Sequence, residues 1–173
     1  FVLPSLVAAL VEHNGKISKS DLLNVIRTLY PFLKAELFLK WKDSEIKAQV
    51  TEYVDALAQA NLIFVDDEDF IFSPAPNSED HNQLAVLAAP VRQSLERYYM
   101  TLALITQRGS GNISIRQVEE LSHLVGQRLS VLYEFNSPEF FDKALFQSFM
   151  KVLTEQGYIK TNEDHAIVFD EQF

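Results

Sequence analysis

The sequence has no cysteine, only 5 glycines and 6 prolines, and no long hydrophobic run among its 173 residues. Without cysteine the chain cannot form a disulfide, a thiolate metal site or a cysteine nucleophile. The glycines form neither a G-x-G-x-x-G nor a Walker pattern, which excludes the common phosphate-binding loops. The longest apolar runs, such as Leu84–Pro90, are far shorter than the roughly 20 residues of a membrane-spanning helix. We therefore predict no metal site and no bound cofactor.

Basic side chains are scarce as well, and the net charge is −9. Residues 1–83 carry 7 basic and 13 acidic side chains, and residues 84–173 carry 8 and 11. Neither half offers the basic face that neutralises phosphates, so nucleic acid is not an expected partner. The hydrophobic content of 47% excludes a disordered chain, and the length suits one domain or two small ones.

The most informative stretch runs from Ser137 to Phe169. Ser137 and Pro138 predict a helix start, and large apolar residues at helical spacing follow, until Gly157 ends the helix. Two short apolar runs, Tyr158–Lys160 and Ala166–Phe169, flank a polar segment and predict a β-hairpin. This stretch therefore predicts a helix, a glycine stop and a hairpin.

The same unit occurs 96 residues earlier in the chain. Leu57 corresponds to Leu153, the acidic turn Asp66–Asp69 precedes the return strand Phe70–Phe72, and Gly15–Ser18 corresponds to Gly111–Ser114. Each of these serines is followed three residues later by a capping-box partner, Asp21 or Gln117. We interpret the repeat as an internal duplication. The predicted fold is mainly α with two small β-hairpins (α+β), built as tandem winged-helix-like halves packed as one unit.

The predicted halves are residues 1–74 and 84–173, joined by a polar, proline-containing linker at 75–83. Pro31 predicts a break at Tyr30 between two helices, Asp21–Leu29 and Pro31–Lys40. A longer helix is predicted over Ala89–Gln107, and helices over Arg116–Gly126 and from Pro138 onward. The Val2–His13 segment is apolar at nearly every position, which predicts burial against a larger body.

Among the histidines, His165 forms a His-x-x-x-x-Asp string with Asp170, the spacing that glycerolipid acyltransferases use for a general base and its orienting carboxylate. The pair flanks a predicted strand at an odd separation, so the side chains point to opposite faces. We interpret it as a coincidence and predict no catalytic residue. The remaining histidines, His13, His81 and His123, stand singly and fit surface or cap positions.

A short segment mixes cations with aromatic rings: Lys34, Phe38, Lys40, Trp41 and Lys42. This combination suits an anionic membrane interface or an acidic protein. The plainer interpretation is the end of an amphipathic helix with solvated lysines. We keep these five residues as the candidate interface.

Several stretches together resemble the C-terminal region of the bacterial membrane-bound glycerol-3-phosphate 1-O-acyltransferase. They occur in the family's order over nearly the whole chain, and as a set they are specific. They are Leu3–Val11 (LPSLVAALV), Leu29–Trp41 (LYPFLKAELFLKW), Gln127–Leu132 (QRLSVL), Asn136–Ala144 (NSPEFFDKA) and Gln156–Ile159 (QGYI).

The resemblance implies a parent enzyme that transfers a fatty acyl group from acyl carrier protein or coenzyme A to sn-glycerol 3-phosphate. That step of phospholipid synthesis takes place at the cytoplasmic face of the bacterial inner membrane, where the parent binds peripherally. The family's catalytic His-x-x-x-x-Asp and Pro-Glu-Gly blocks lie upstream of the matching region. This sequence contains no Pro-Glu-Gly, so no catalytic residue transfers to it.

Two hypotheses of different classes follow. The first is a non-catalytic, soluble accessory fragment that packs on its own upstream catalytic domain, through the Val2–His13 helix; the start at Phe1 rather than Met favours it. The second is a winged-helix-like interaction or regulatory module without enzymatic activity.

Overall fold

Six helices and five short strands make up the residues that the computed structural model describes, which are 2–39, 41–133 and 142–170, with the backbone alone for 129–133. Helices dominate, and the strands form small antiparallel sheets, so the α+β class is confirmed. The elements in chain order are α1 (Val2–Asn14), β1 (Lys16–Ser18), α2 (Lys19–Leu37), α3 (Asp43–Gln59), β2 (Phe64–Val65), β3 (Phe70–Phe72), α4 (Glu79–Arg108), α5 (Ile115–Tyr133), α6 (Lys143–Glu155), β4 (Lys160–Thr161) and β5 (Ile167–Val168).

The chain divides into two units whose segments interleave in sequence. The first unit comprises Phe1–Pro31 and Leu39–Gln93, and the second comprises Phe32–Phe38 and Ser94–Phe173. Both α2 and α4 therefore contribute residues to both units. Each of these two helices contains one internal proline, Pro31 or Pro90.

The first unit places α1 against α3 and adds a three-stranded antiparallel sheet in the order β1-β3-β2. Ile17 pairs with Ile71 across the sheet, and both side chains are buried. Because strand side chains alternate, Phe70 and Phe72 point to the opposite face, where Phe64 pairs with Phe72. The sheet thus has one core face and one outer aromatic face.

The second unit contains the hairpin of β4 and β5, with Lys160 opposite Val168, and a single bridge between Ser114 and Ala166. Its core includes three aromatic rings from different elements. Tyr98 and Phe149 stack with centroids 4.4 Å apart and planes within 5°, and Phe32 lies 5.1 Å from Phe149. Offset stacking of this kind adds to the free energy gained from burial.

Local signals in the sequence are confirmed where the structure describes them. The Asp21 N–H donates to Ser18 Oγ at 3.0 Å, and Ser114 and Gln117 exchange both bonds of a capping box. Gly157 follows α6 with φ +78°, and both predicted hairpins form. Short-range hydrogen bonding explains this success, because the residues that complete each motif lie at most eight positions apart in the chain.

The prediction of a helix break at Tyr30 is wrong, because α2 continues through Pro31 to Leu37. Proline removes one helical hydrogen bond, but Tyr30, Phe32 and Leu33 are all buried on either side of it. The Tyr30 hydroxyl also donates to the Trp41 carbonyl at 2.9 Å. Tertiary contacts therefore outweigh the local preference at Pro31.

Other helix boundaries also differ from the predictions. Helix α4 begins at Glu79, inside the predicted linker, and passes through Pro90. Helix α5 is continuous to Tyr133 rather than ending at Gly126. The predicted cap Ser137 and Pro138 lie outside the described residues. Within them, α6 begins at Lys143 with Asp142 as its N-cap.

The expectation that α1 offers an apolar docking surface is wrong. Of its 13 residues, 8 are buried in this chain, including Leu3, Leu6 and Val7, and the helix packs against α3. A helix that is apolar on most sides is here the centre of a core.

Candidate functional site

The five candidate interface residues lie at the end of α2 and directly after it, and they belong to different units. Lys34 and Phe38 are part of the second unit, whereas Trp41 and Lys42 are part of the first; Lys40 lies outside the described residues. Phe38 is 87% exposed and has φ +53°, an unusual backbone conformation for an aromatic residue. Trp41 is 37% exposed. The structure thus places two exposed aromatic side chains in this segment; that the five residues form an interface stays a prediction.

His165 and Asp170 lie on either side of β5 in the second unit. His165 occupies the hairpin turn with φ +59° and is exposed, and Asp170 follows β5. In the described part of the chain, no group of three His, Cys, Asp or Glu residues is placed to hold a metal ion. That none of these side chains is catalytic remains a prediction.

Among the residues that the structure describes, the most buried ion pair of the second unit is one that the sequence did not suggest. The Glu36 carboxylate accepts hydrogen bonds from Ser94 Oγ at 2.6 Å, from Tyr98 Oη at 2.6 Å and from the Arg97 guanidinium. The side chains of Glu36 and Arg97 are only 7% and 5% exposed. We call these four residues the Glu36 cluster.

Burial and hydrogen bonding compete at Glu36. Burial opposes ionisation of the carboxyl group, but the bonds from Arg97, Ser94 and Tyr98 outweigh it and hold the pKa of Glu36 below its ordinary value. At Tyr98, burial and then the bond to Glu36 raise the pKa of the phenol. The cluster is therefore an ion pair with a neutral tyrosine at ordinary pH.

The sequence contains one indication of this cluster, at Arg97. Arg97, Thr101 and Ile105 follow one another at four-residue intervals and are all buried in α4, so they share one helical stripe. A charged residue on a buried stripe needs a partner. The sequence does not identify that partner, because Glu36 lies 61 residues away.

The second unit also contains a partly open pocket of about 340 Å³. Its wall includes Arg97, Thr101, Ser122, Asp142 and Phe146, which come from α4, α5, α6 and the residue that caps α6. At the rim, Lys143 Nζ pairs with Glu119 Oε1 at 2.7 Å.

An aromatic surface lies in the first unit, on the outer face of its sheet. Phe64 is 64% exposed, and its ring lies 5.9 Å from that of Phe72. The Lys16 ammonium is 4.1 Å from the centre of the Phe70 ring, within the range of a cation–π contact. We call Lys16, Phe64, Phe70 and Phe72 the outer sheet face.

Comparison with known proteins gives a consistent result. Residues 1–162 match the family described as glycerol-3-phosphate acyltransferase C-terminal region. The chain is 37% identical to the glycerol-3-phosphate acyltransferase of Pseudomonas paraeruginosa over 171 residues, which cover 99% of this chain and 20% of that relative. The corresponding enzyme of Ectopseudomonas mendocina is 36% identical over 163 residues, which cover 94% and 20%. The chain thus spans about a fifth of the length of these relatives, and no solved structure matches it.

Proposed function

Because this chain belongs to the family of the glycerol-3-phosphate acyltransferase C-terminal region, we propose that it is a non-catalytic domain of an enzyme that acylates sn-glycerol 3-phosphate. The acyl donor of the whole enzyme is acyl carrier protein or coenzyme A carrying a fatty acid. The match over residues 1–162 carries the proposal. The chain covers only about a fifth of the length of its relatives, and this favours an accessory rather than a catalytic role for the region.

Residues 1–74 and 84–173 are, in this proposal, copies of one winged-helix-like fold. Several pairs of features, 96 residues apart, support it. Helices α2 and α5 have the same length of 19 residues. Asn61 and Gly157 both have positive φ after a helix, as Asp69 and His165 have in the hairpin turns. The Leu62 N–H donates to the Leu57 carbonyl at 3.0 Å or less, as the Tyr158 N–H does to Leu153.

The proposed task of the domain is to contact the upstream catalytic region of its own polypeptide. The outer sheet face is the surface that we assign to this contact, since α1 is already buried. Most of the length of the relatives lies outside this chain, so a large covalently attached partner is available. A winged-helix-like interaction module without any enzyme remains the alternative.

Two measurements test the proposal. The isolated chain is expected to show no acylation of glycerol 3-phosphate above blank. It is also expected to co-elute with the separately expressed upstream region, and Phe64→Ser is expected to weaken that association at least fivefold. Val86→Ser, at a residue of α4 that is 74% exposed, is the matched control. Turnover abolished by His165→Ala, or association unaffected by Phe64→Ser, would contradict the assignments.

Peripheral binding of the parent to the inner membrane is a further part of the proposal, with Lys34, Phe38, Lys40, Trp41 and Lys42 as the candidate contact. In the described part of the chain no helix is long and apolar enough to span a bilayer. Changing Lys40 and Lys42 to Glu is expected to lower recovery of the protein on anionic vesicles. Unchanged recovery would remove these residues from the contact.

A further inference from the structure

The end of α2 that belongs to the second unit, residues 32–38, has one buried and one exposed face. Three side chains are buried in the second unit: Phe32, Leu33 and Glu36. The other face exposes Lys34 and Leu37, which are three positions apart and therefore neighbours on the helix. Phe38 follows directly after the helix and is exposed as well. This face thus leaves two large apolar side chains in contact with water, beside a lysine.

Phe38 has the most exposed large apolar side chain in the part of the chain that is described, at 87%. Its φ of +53° is the left-handed conformation that commonly follows a helix, where glycine or asparagine is the usual residue. A phenylalanine in this conformation costs free energy, and at this exposure it gains little from burial. The ring therefore serves neither the core nor the helix end, which points to a role outside the chain.

The charges around this helix end are unusual for such an acidic chain. The chain has a net charge of −9, but residues 22–42 carry four basic side chains and one acidic side chain. The four are Arg27, Lys34, Lys40 and Lys42. The acid is Glu36, whose side chain is 7% exposed and ion-paired with Arg97. The Glu36 cluster thus compensates the one negative charge of this stretch, and the remaining charges are all positive.

Apolar side chains beside lysines match the surface of a bilayer that contains anionic lipids. Acyl chains accept leucine and phenylalanine side chains, and the headgroup phosphates attract lysine. We propose that Leu37 and Phe38 insert into the acyl-chain boundary of an anionic bilayer, and that Lys34 contacts its headgroups. Their insertion rests on the peripheral binding proposed above and adds the residues that enter the hydrocarbon.

The outer sheet face of the first unit also combines aromatic rings with a lysine, but its charges do not suit a bilayer. The hairpin turn between β2 and β3 has four consecutive acidic residues, 66–69. They would bring negative charge to anionic headgroups. Exposed aromatic rings alone therefore do not identify a bilayer contact, whereas rings in a stretch with only positive charges left over do.

Flotation of the whole chain with lipid vesicles measures the partitioning. Vesicles of phosphatidylglycerol mixed with phosphatidylethanolamine are expected to retain the chain, and neutral phosphatidylcholine vesicles to retain it roughly tenfold more weakly. Phe38→Asn is expected to weaken partitioning into the anionic vesicles roughly tenfold, because no ring then enters the acyl chains. Asparagine tolerates the left-handed conformation, so the thermal transition is expected not to fall.

Tyr99→Asn is the matched control for Phe38→Asn. Tyr99 is a 77% exposed aromatic residue of α4 in the same unit. At 3.6 residues per turn it lies on the side of α4 away from Ser94 and Arg97, which bond Glu36. Partitioning of this variant is expected to stay within about twofold of the wild type, because a single exposed aromatic residue is not a docking surface.

A tryptophan at position 38 measures the insertion directly. Trp41 is the single tryptophan of the chain, so Trp41→Phe combined with Phe38→Trp gives one fluorophore in place of the inserted ring. Lipids brominated on their acyl chains are expected to quench its fluorescence. The same lipids are expected to leave the fluorescence of Trp41→Phe combined with Tyr99→Trp unchanged. Equal quenching at both positions, or none at position 38, overturns the insertion.

The outcomes separate this insertion from the proposed function. Unchanged flotation of Phe38→Asn overturns the insertion, whereas lower recovery after changing Lys40 and Lys42 to Glu would still support the peripheral contact. If Phe38→Asn weakens co-elution with the upstream region and leaves flotation unchanged, a protein covers this surface and the insertion is overturned. Equal retention by neutral and anionic vesicles overturns the contact of Lys34 with the headgroups.

Discussion

The side chain of Glu36 is important for the stability of the second unit, because its partner Arg97 is almost completely buried. Glu36→Ala leaves the Arg97 charge without compensation, and we expect the free energy of unfolding to fall by about 3–5 kcal/mol. Urea denaturation followed by circular dichroism measures it. The control is Glu155→Ala, which breaks an exposed pair with Lys151 at 3.6 Å and is expected to cost less than about 0.5 kcal/mol. A loss below about 1 kcal/mol for Glu36→Ala would contradict the burial of the pair.

The same carboxylate predicts a pH dependence. The pKa of Glu36 is lower in the folded state than its ordinary value of 4.5, so the unfolded chain binds the proton more readily. The resulting stabilisation is fully present above about pH 4.5 and is lost as the pH falls through the lowered pKa. In Glu36→Gln this contribution is absent. We expect the difference in unfolding free energy between wild type and Glu36→Gln to shrink from pH 6 to pH 3; a constant difference would argue against it.

At the scale of single elements, we expect a substitution in the hairpin turn at His165 to make the protein more stable. A left-handed conformation costs a non-glycine residue about 1–2 kcal/mol, and the entropy of glycine in the unfolded chain offsets roughly half of that. His165→Gly is therefore expected to raise the free energy of unfolding by roughly 0.5–1 kcal/mol in thermal or urea denaturation. Glu163→Gly, in the same turn but without positive φ, serves as the control and is expected to give no gain. Equal effects of both would contradict the strain at His165.

The elements also show which structural signals a sequence contains. Caps such as Ser18 and Ser114, the stop at Gly157 and both hairpin turns are predictable because neighbouring residues complete them. The continuation of α2 through Pro31 is not, because buried residues on both sides decide it. The Glu36 cluster and the pocket are also beyond sequence patterns, since they join positions some 60 residues apart or depend on the space between helices. The strand β1 is too short, at three residues, to show a period.

At the scale of the whole molecule, the interleaving of the two units lets us predict the effect of truncating the chain. A fragment of residues 84–173, the half that the sequence alone suggests, lacks Phe32, Leu33 and Glu36. It would contain Arg97 without its carboxylate and Phe149 without one ring neighbour. We expect this fragment to show no cooperative thermal transition, whereas the complete chain shows one.

A peptide provides the control for that truncation. Residues 28–39 added in trans to the fragment are expected to increase its helical signal, because they supply the missing ring and carboxylate. The same peptide with Ala at position 36 is expected to act much more weakly. A fragment that unfolds cooperatively by itself would show that residues 32–38 are dispensable.

The interleaving also matters while the protein is being synthesised. Residues 32–38 leave the ribosome before any of the residues from Ser94 onward with which they form the second unit. At about 5–20 residues per second, the side chains of Phe32, Leu33 and Glu36 wait several seconds for Arg97, Tyr98 and Phe149. During that interval the nascent chain exposes the large apolar side chains of Phe32 and Leu33, which belong to the second unit. Codon choice and chaperone binding between positions 38 and 94 therefore bear on the yield of native protein.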